Sequence, residues 1–191
     1  MKKFLMIVAV LALVTGAAST SNATVRPTMW ITNSDLNPVE GPEGQYGVKC
    51  PDGKSYTLYL WVLPDPIKGF TGAEFNMISG TPQDKMTGYT LGEGFDKEIG
   101  KPWDTGWIVY GKTTHYSWTL LCTFEMTSVS NDPRSIKIDT SDSTGDFTHV
   151  TEFLSADGRY GFDPGNIFTV NGEGVVPTDA SSWGAIKSMY H

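Results

Sequence analysis

Histidine, cysteine and long apolar runs are all scarce in this chain, and each shortage removes a class of function. Histidine occurs three times, as His115, His149 and His191, too scattered to suggest a zinc site or a histidine-based dyad. Short motifs that carry chemistry are missing as well: there is no G-x-S-x-G, no phosphate-cradling glycine loop and no H-E-x-x-H. Apart from residues 4–14, nothing approaches the ~18 consecutive apolar residues that a membrane helix needs. Basic residues are outnumbered, with 14 Lys and Arg against 21 Asp and Glu for a net charge of −7. No basic cluster offsets that balance, so the surface repels phosphate backbones and disfavours nucleic acid. Up to Pro177, no apolar 3.6-residue period persists over three turns, which leaves strands rather than long helices.

What is present begins with a leader. Lys2 and Lys3 precede an apolar run from Phe4 to Val14 and then small residues ending at Ser21-Asn22-Ala23, the order of a secretory signal peptide. Cleavage is expected after Ala23, with an alternative inside Ala17-Ala18-Ser19, and no cysteine directly follows either cut to accept a lipid. The expected organisation is a signal peptide at 1–23, a β-domain at 24–176 and a tail at 177–191. The product is expected to be secreted, periplasmic or on the cell surface, with no membrane span after cleavage. Losing Lys2 and Lys3 with the leader leaves 12 basic against 21 acidic residues, a net charge of −9, which aids solubility outside the cell. The remaining 168 residues suffice for one domain with a real core.

Two cysteines, Cys50 and Cys122, are each other's only possible mates, so one Cys50–Cys122 disulfide is expected in an oxidising compartment. Closing a loop of about 70 residues would stabilise the fold by ~4 kcal/mol on the chain-entropy model. Cys122 lies in YSWTLLCTFEMT at 116–127. There Tyr116, Trp118, Leu120, Cys122, Phe124 and Met126 are large or apolar, and the intervening positions are mostly hydroxyl or charged, broken by Leu121. That alternation describes a strand with one dry side.

Further strand-like runs occupy 29–32, 56–63, 73–78, 107–110, 135–138, 149–154, 159–162 and 167–170, separated by Gly, Pro, Asn and Asp clusters. The pattern predicts an all-β, two-sheet antiparallel sandwich, immunoglobulin-like or jelly-roll-like, with a closed barrel as the alternative. In 73–78, Ala73, Phe75 and Met77 share the core face while Glu74 and Asn76 point away, and Asp157-Gly158 suits a tight hairpin. Residues 80–106 alternate weakly and are expected to form long irregular loops, where function tends to sit. In the tail, Ser181 or Ser182 can cap a short helix with Trp183, Ile186 and Tyr190 on one face. That face is expected to dock on the sandwich itself or on a partner.

Four aromatic residues are binding candidates. If Leu58, Leu60 and Val62 face the core, Tyr59 and Trp61 face outward, and GKPWDTGW adds Trp103 and Trp107. Exposed rings of this kind stack on sugars or anchor protein interfaces, whereas covered ones are simply core. The acids of EGFDKE offer an enzymatic alternative. On a strand, Asp96 and Glu98 would share a face ~7 Å apart, an admissible spacing for a glycosidase pair. With Glu93 they resemble, without matching, the E-x-D-x-x-E signature of jelly-roll glucanases, and a solvated loop run explains them equally well. His149, near Asp146 and Glu152, has a strand-edge reading as well as a dyad reading. In DTSDSTGD, Asp139, Asp142 and Asp146 concentrate hard oxygen donors around Gly145. A calcium site is the functional reading there, although EF-hand spacing fails and an Asp/Ser/Gly turn competes. No other cofactor is expected.

The runs YTLYLWVLPDPIKGFTGAEFNMI, WTLLCTFEM and ADGRYGF followed by IFTVNGE resemble cohesin-like secreted β-sandwich modules over residues 48–173. Gly69, Gly72, Ala73, Glu74 and Phe75 carry the likeness. It implies the two-sheet core and no more, because cohesins continue the second strand into a Tyr-Asp-Pro-type turn where this chain reads NMISGTPQD. The expected function is an exported, non-catalytic binding or structural surface component that contacts a protein or a glycan. A glycoside hydrolase using Asp96 and Glu98 is the rival, and a coat or filament subunit is a third reading.

Overall fold

Alternation of apolar and polar side chains sorts the chain into two facing sheets. A computed structural model describes residues 26–104, 106–139 and 152–172. The expected signal peptide, His149, Asp142, Asp146 and the tail positions Trp183, Ile186, Tyr190 and His191 lie outside the described residues. Among those that are described, the strands are β1 (Thr28–Thr32), β2 (Gly47–Val48), β3 (Ser55–Leu63), β4 (Phe70–Ser79), β5 (Lys85–Leu91), β6 (Phe95–Lys101), β7 (Gly106–His115), β8 (Thr119–Thr127), β9 (Arg134–Asp139), β10 (Glu152–Ser155), β11 (Gly158–Gly161), β12 (Asp163–Pro164) and β13 (Ile167–Val170). The first sheet runs β12-β1-β3-β8-β5. The second runs β11-β10-β4-β9-β13-β2, with β7 pairing β4 and β6 pairing β7. Pairing is antiparallel except where β12 joins β1 and β2 joins β13.

Between the sheets, Met29, Ile31, Leu58, Leu60, Val62, Phe124 and Met126 meet Ala73, Phe75, Met77, Trp107, Val109, Ile136, Phe153 and Phe168, all fully buried. Each strand read from the sequence overlaps an observed one. The row at 116–127 is only half as expected, because Leu60 pairs Cys122 while the next residue, Trp61, pairs Leu120. Leu121 is therefore an extra residue on β8. A bulge shifts the phase of alternation, so Leu121 and Cys122 both point inward and Leu120 turns outward beside Trp61. Beyond it Tyr116 is 55 % exposed.

Residues 80–106 are not long loops. They hold β5 and β6, one at the edge of each sheet, and an edge strand has a neighbour on one side only, which relaxes the demand for alternation. On β6 only Phe95 is buried.

The Cys50–Cys122 bond does not form, and both residues are free, buried thiols. Cys122 lies mid-strand opposite Leu60, whereas the Cys50 carbonyl accepts from Ser128 Oγ at 2.9 Å, past the end of β8. Six residues of extended strand span about 20 Å, against the ~7 Å between Cα atoms that a disulfide tolerates. Burial pushes both thiols up.

Beside Cys50 a polar cluster unannounced by the sequence closes this end of the sandwich. Asp84 and Arg134 pair with side chains 0 % and 1 % exposed. Asp84 also accepts from Tyr56 Oη and the Val129 amide, and Arg134 donates to Ser128 Oγ and to the carbonyls of Ser130 and Asp132. Burial and the Asp84 bond push the Tyr56 hydroxyl up. Such burial is tolerated because both charges are fully hydrogen-bonded.

His115 closes β7 stacked on Phe95 at 5.0 Å, with Phe70 at 5.5 Å and Nε2 buried and unpartnered. Burial lowers its pKa, opposed by the Glu93 charge. The unfolded chain then binds the proton more readily, so stability falls as pH drops through about 6.5 toward the depressed folded value. We expect His115→Phe to lose less stability than the native chain when urea unfolding is compared at about pH 7.5 and pH 5.5. Equal losses in both proteins would assign the acid sensitivity to other groups.

Candidate functional site

Residues two apart on a strand share a face, so Leu58, Leu60 and Val62 in the core send Thr57, Tyr59 and Trp61 outward, as the sequence suggests. The register then lays rows across the outer surface of the first sheet. One row is Thr32, Tyr59, Thr123 and Thr90, from β1, β3, β8 and β5. Above it Trp30, Trp61 and Leu120 align, and below it Thr57, Glu125 and Gly88. Ser55, Thr127 and Lys85 complete the surface.

Its β1 side is covered. Trp30 lies under the β12 connection, where a Cβ on Gly165 would fall 2.1 Å from the indole nitrogen, and Tyr46 packs on it at 5.4 Å. Thr32 is buried with its hydroxyl donating to the Ser34 carbonyl, and the Trp61 indole donates to the same carbonyl at 3.4 Å. From Trp61 toward β5 the surface opens. Tyr59, Trp61, Thr57, Thr123 and Thr127 are partly exposed, and Thr90, Glu125 and Lys85 are exposed. Among the described residues, the hydroxyls of Thr57, Thr90 and Thr123 make no hydrogen bond.

Trp103 and Trp107 do not join this face. Trp107 is fully buried between the sheets, in contact with Phe75, Tyr89 and Phe124 at 5.5 to 5.7 Å. Trp103, in the β6–β7 turn at φ 63°, folds back edge-on to Phe124 at 5.2 Å. The four rings are thus two outward and two inward.

The acid pair is also reassigned. Phe95 pairs Gly111 but Lys97 pairs Tyr110, which makes Asp96 the extra residue of a bulge. The shifted phase places Glu98 opposite the buried Val109. There its two oxygens accept from Tyr89 Oη at 2.5 Å and Trp107 Nε1 at 3.0 Å, linking the edges of the two sheets. The bond to Glu98, with burial second, pushes the Tyr89 hydroxyl up to about 12. Glu98 is a structural bridge, and Asp96 does not share its face.

No protein-family model matches the sequence, and no curated protein matches it. Among solved structures, a cohesin module from a family 33 glycoside hydrolase of Clostridium perfringens is similar with a TM-score of 0.54 at 10 % identity. The alignment covers 76 % of this chain and 97 % of that module.

The fold is cohesin-like. A type I cohesin solved in a cohesin–dockerin complex from Clostridium thermocellum is similar at TM-score 0.51 and 9 % identity, covering 76 % of this chain and 92 % of that one. A type II cohesin domain from the cellulosome of Acetivibrio cellulolyticus follows at 0.50 and 11 %, covering 78 % and 96 %.

On the other side of this cohesin-like sandwich, the outer face of the second sheet is charged. Glu74 points away from the core as expected, yet it is fully buried against Arg159, which also reaches Glu152 at 3.4 Å. Of the proposed calcium ligands only Asp139 is described, at the end of β9, and no cluster of three metal-ligating side chains occurs among the described residues.

Proposed function

We propose that this chain is an exported, non-catalytic binding module that holds its partner against the open face of β3, β8 and β5. The carrying observation is the pairing of Tyr59 and Trp61, both partly exposed, with the unengaged hydroxyls of Thr57, Thr90 and Thr123 on one continuous surface. Aromatic rings give broad contact area with a polar edge at small entropic cost, and so make good anchors. The Lys-Lys leader supports export. The cohesin-like architecture supports a recognition role, since the Clostridium thermocellum cohesin is bound to a dockerin. Engagement of both Glu98 oxygens by Tyr89 and Trp107 weighs against the glycosidase alternative.

The test combines a glycan array with capture from an exported-protein fraction, using the native chain and Trp61→Glu. With circular dichroism unchanged, the variant is expected to bind its partner at least about tenfold more weakly. A partner held equally by both proteins would move the contact to another surface. Polysaccharide hydrolysis that disappears in Glu98→Gln would restore the enzyme reading.

A further inference from the structure

The chemistry of the open face narrows what can lie on it. Although the chain carries a net charge of −7, among the described residues the exposed part of this face holds one cation, Lys85, and one anion, Glu125. A charged partner therefore meets no complementary field there. The outer surface of the second sheet differs, with Glu74, Glu152 and Arg159 in contact.

The uncharged polar side chains of the β3-β8-β5 face carry hydroxyls. Thr57, Thr90 and Thr123 can each donate and accept, and β-branching restricts their rotamers, so little freedom is lost on contact. Neighbouring strands space them by ~4.8 Å and alternate residues by ~7 Å. A dry protein interface would bury these hydroxyls without partners, which is costly, and the fully buried centre of such interfaces is mostly apolar. The same objection applies to a second copy of this chain packed face to face. Tyr59 and Trp61, two residues apart on β3, add adjacent rings able to take the C–H faces of neighbouring sugar units.

We infer that the ligand of the β3-β8-β5 face is an uncharged polysaccharide, its ring faces on Tyr59 and Trp61 and its hydroxyls on Thr57, Thr90 and Thr123. The inference rests on the reading of this face as the contact surface. Native affinity electrophoresis of the chain in gels containing hydroxyethylcellulose, xylan or galactomannan tests it, with polygalacturonate as the anionic counterpart. Retardation is expected in at least one neutral polymer. It should persist at about 1 M salt, where charge contacts are screened beyond ~3 Å. Trp61→Ala and Tyr59→Ala should each weaken it about tenfold. Thr123→Val, near in volume and suited to a strand, guards against misfolding: it should also reduce retardation with the unfolding midpoint retained.

Migration unaltered by every neutral polymer, preference for polygalacturonate, or retardation indifferent to all three variants would overturn the inference. If the neutral polymers fail but Trp61→Glu still abolishes capture of a protein, the glycan falls and the binding module stands. If Trp61→Glu alters neither, both fall.

Discussion

Replacing Arg134 by methionine is expected to cost about 3–5 kcal/mol of folding stability, because it strands the Asp84 carboxylate where no water reaches it. The guanidinium holds Asp84 through Nε and Nη2, and it also satisfies Ser128 Oγ and two carbonyls of the β8–β9 connection. Asp84 keeps its bonds from Tyr56 Oη and the Val129 amide but loses its counter-charge, and the Asp132 carbonyl loses the guanidinium donor. Removing both charges in Asp84→Leu with Arg134→Met should cost less than the two single changes added together, since neither charge is then left alone. It should not be free, because Tyr56 Oη and the Val129 amide lose their acceptor at about 1–3 kcal/mol each. Guanidinium unfolding of the four proteins completes the cycle. A loss below about 1 kcal/mol in Arg134→Met would mean that water or a repacked neighbour reaches the carboxylate.

Trp107→Ala is expected to destabilise the sandwich by a similar amount, about 3–5 kcal/mol, for an unrelated reason. The indole fills the space between β4, β5 and β8, in contact with Phe75, Tyr89 and Phe124, and close packing lets such a cavity collapse only in part. Trp107→Phe separates volume from hydrogen bonding: it keeps most of the ring contact but withdraws the donor from Glu98. The order of midpoints should be native, then Phe, then Ala. Coincidence of the Phe and Ala variants would show that the bond to Glu98, rather than the filled volume, carries the effect.

What could be read from the sequence was whatever period two states without interruption. In β3 the alternation is unbroken, so the inward Leu58, Leu60 and Val62 and the outward Tyr59 and Trp61 were legible from spacing alone. In β8 and β6 a single inserted residue, Leu121 or Asp96, reverses the facing of everything beyond it, and an inserted residue leaves no compositional mark. That one device explains both the misplaced half of the 116–127 row and the illusory pairing of Asp96 with Glu98. The edges β5 and β6 read as loops because one-sided pairing relaxes the alternation that marks a strand. The Asp84–Arg134 pair joins positions 50 apart in sequence, and nothing local to either residue announces the other. The two cysteines are each other's only possible partners by number, but number carries no information about distance.

The two unjoined sulfurs have a consequence for how the protein is made. With no covalent link to form, the native state needs no oxidant, and a Cys50–Cys122 bond made in the unfolded chain would be non-native and would have to be reduced before folding. The chain's route to the native state is governed by bringing distant strands together, a problem of topology rather than of redox chemistry.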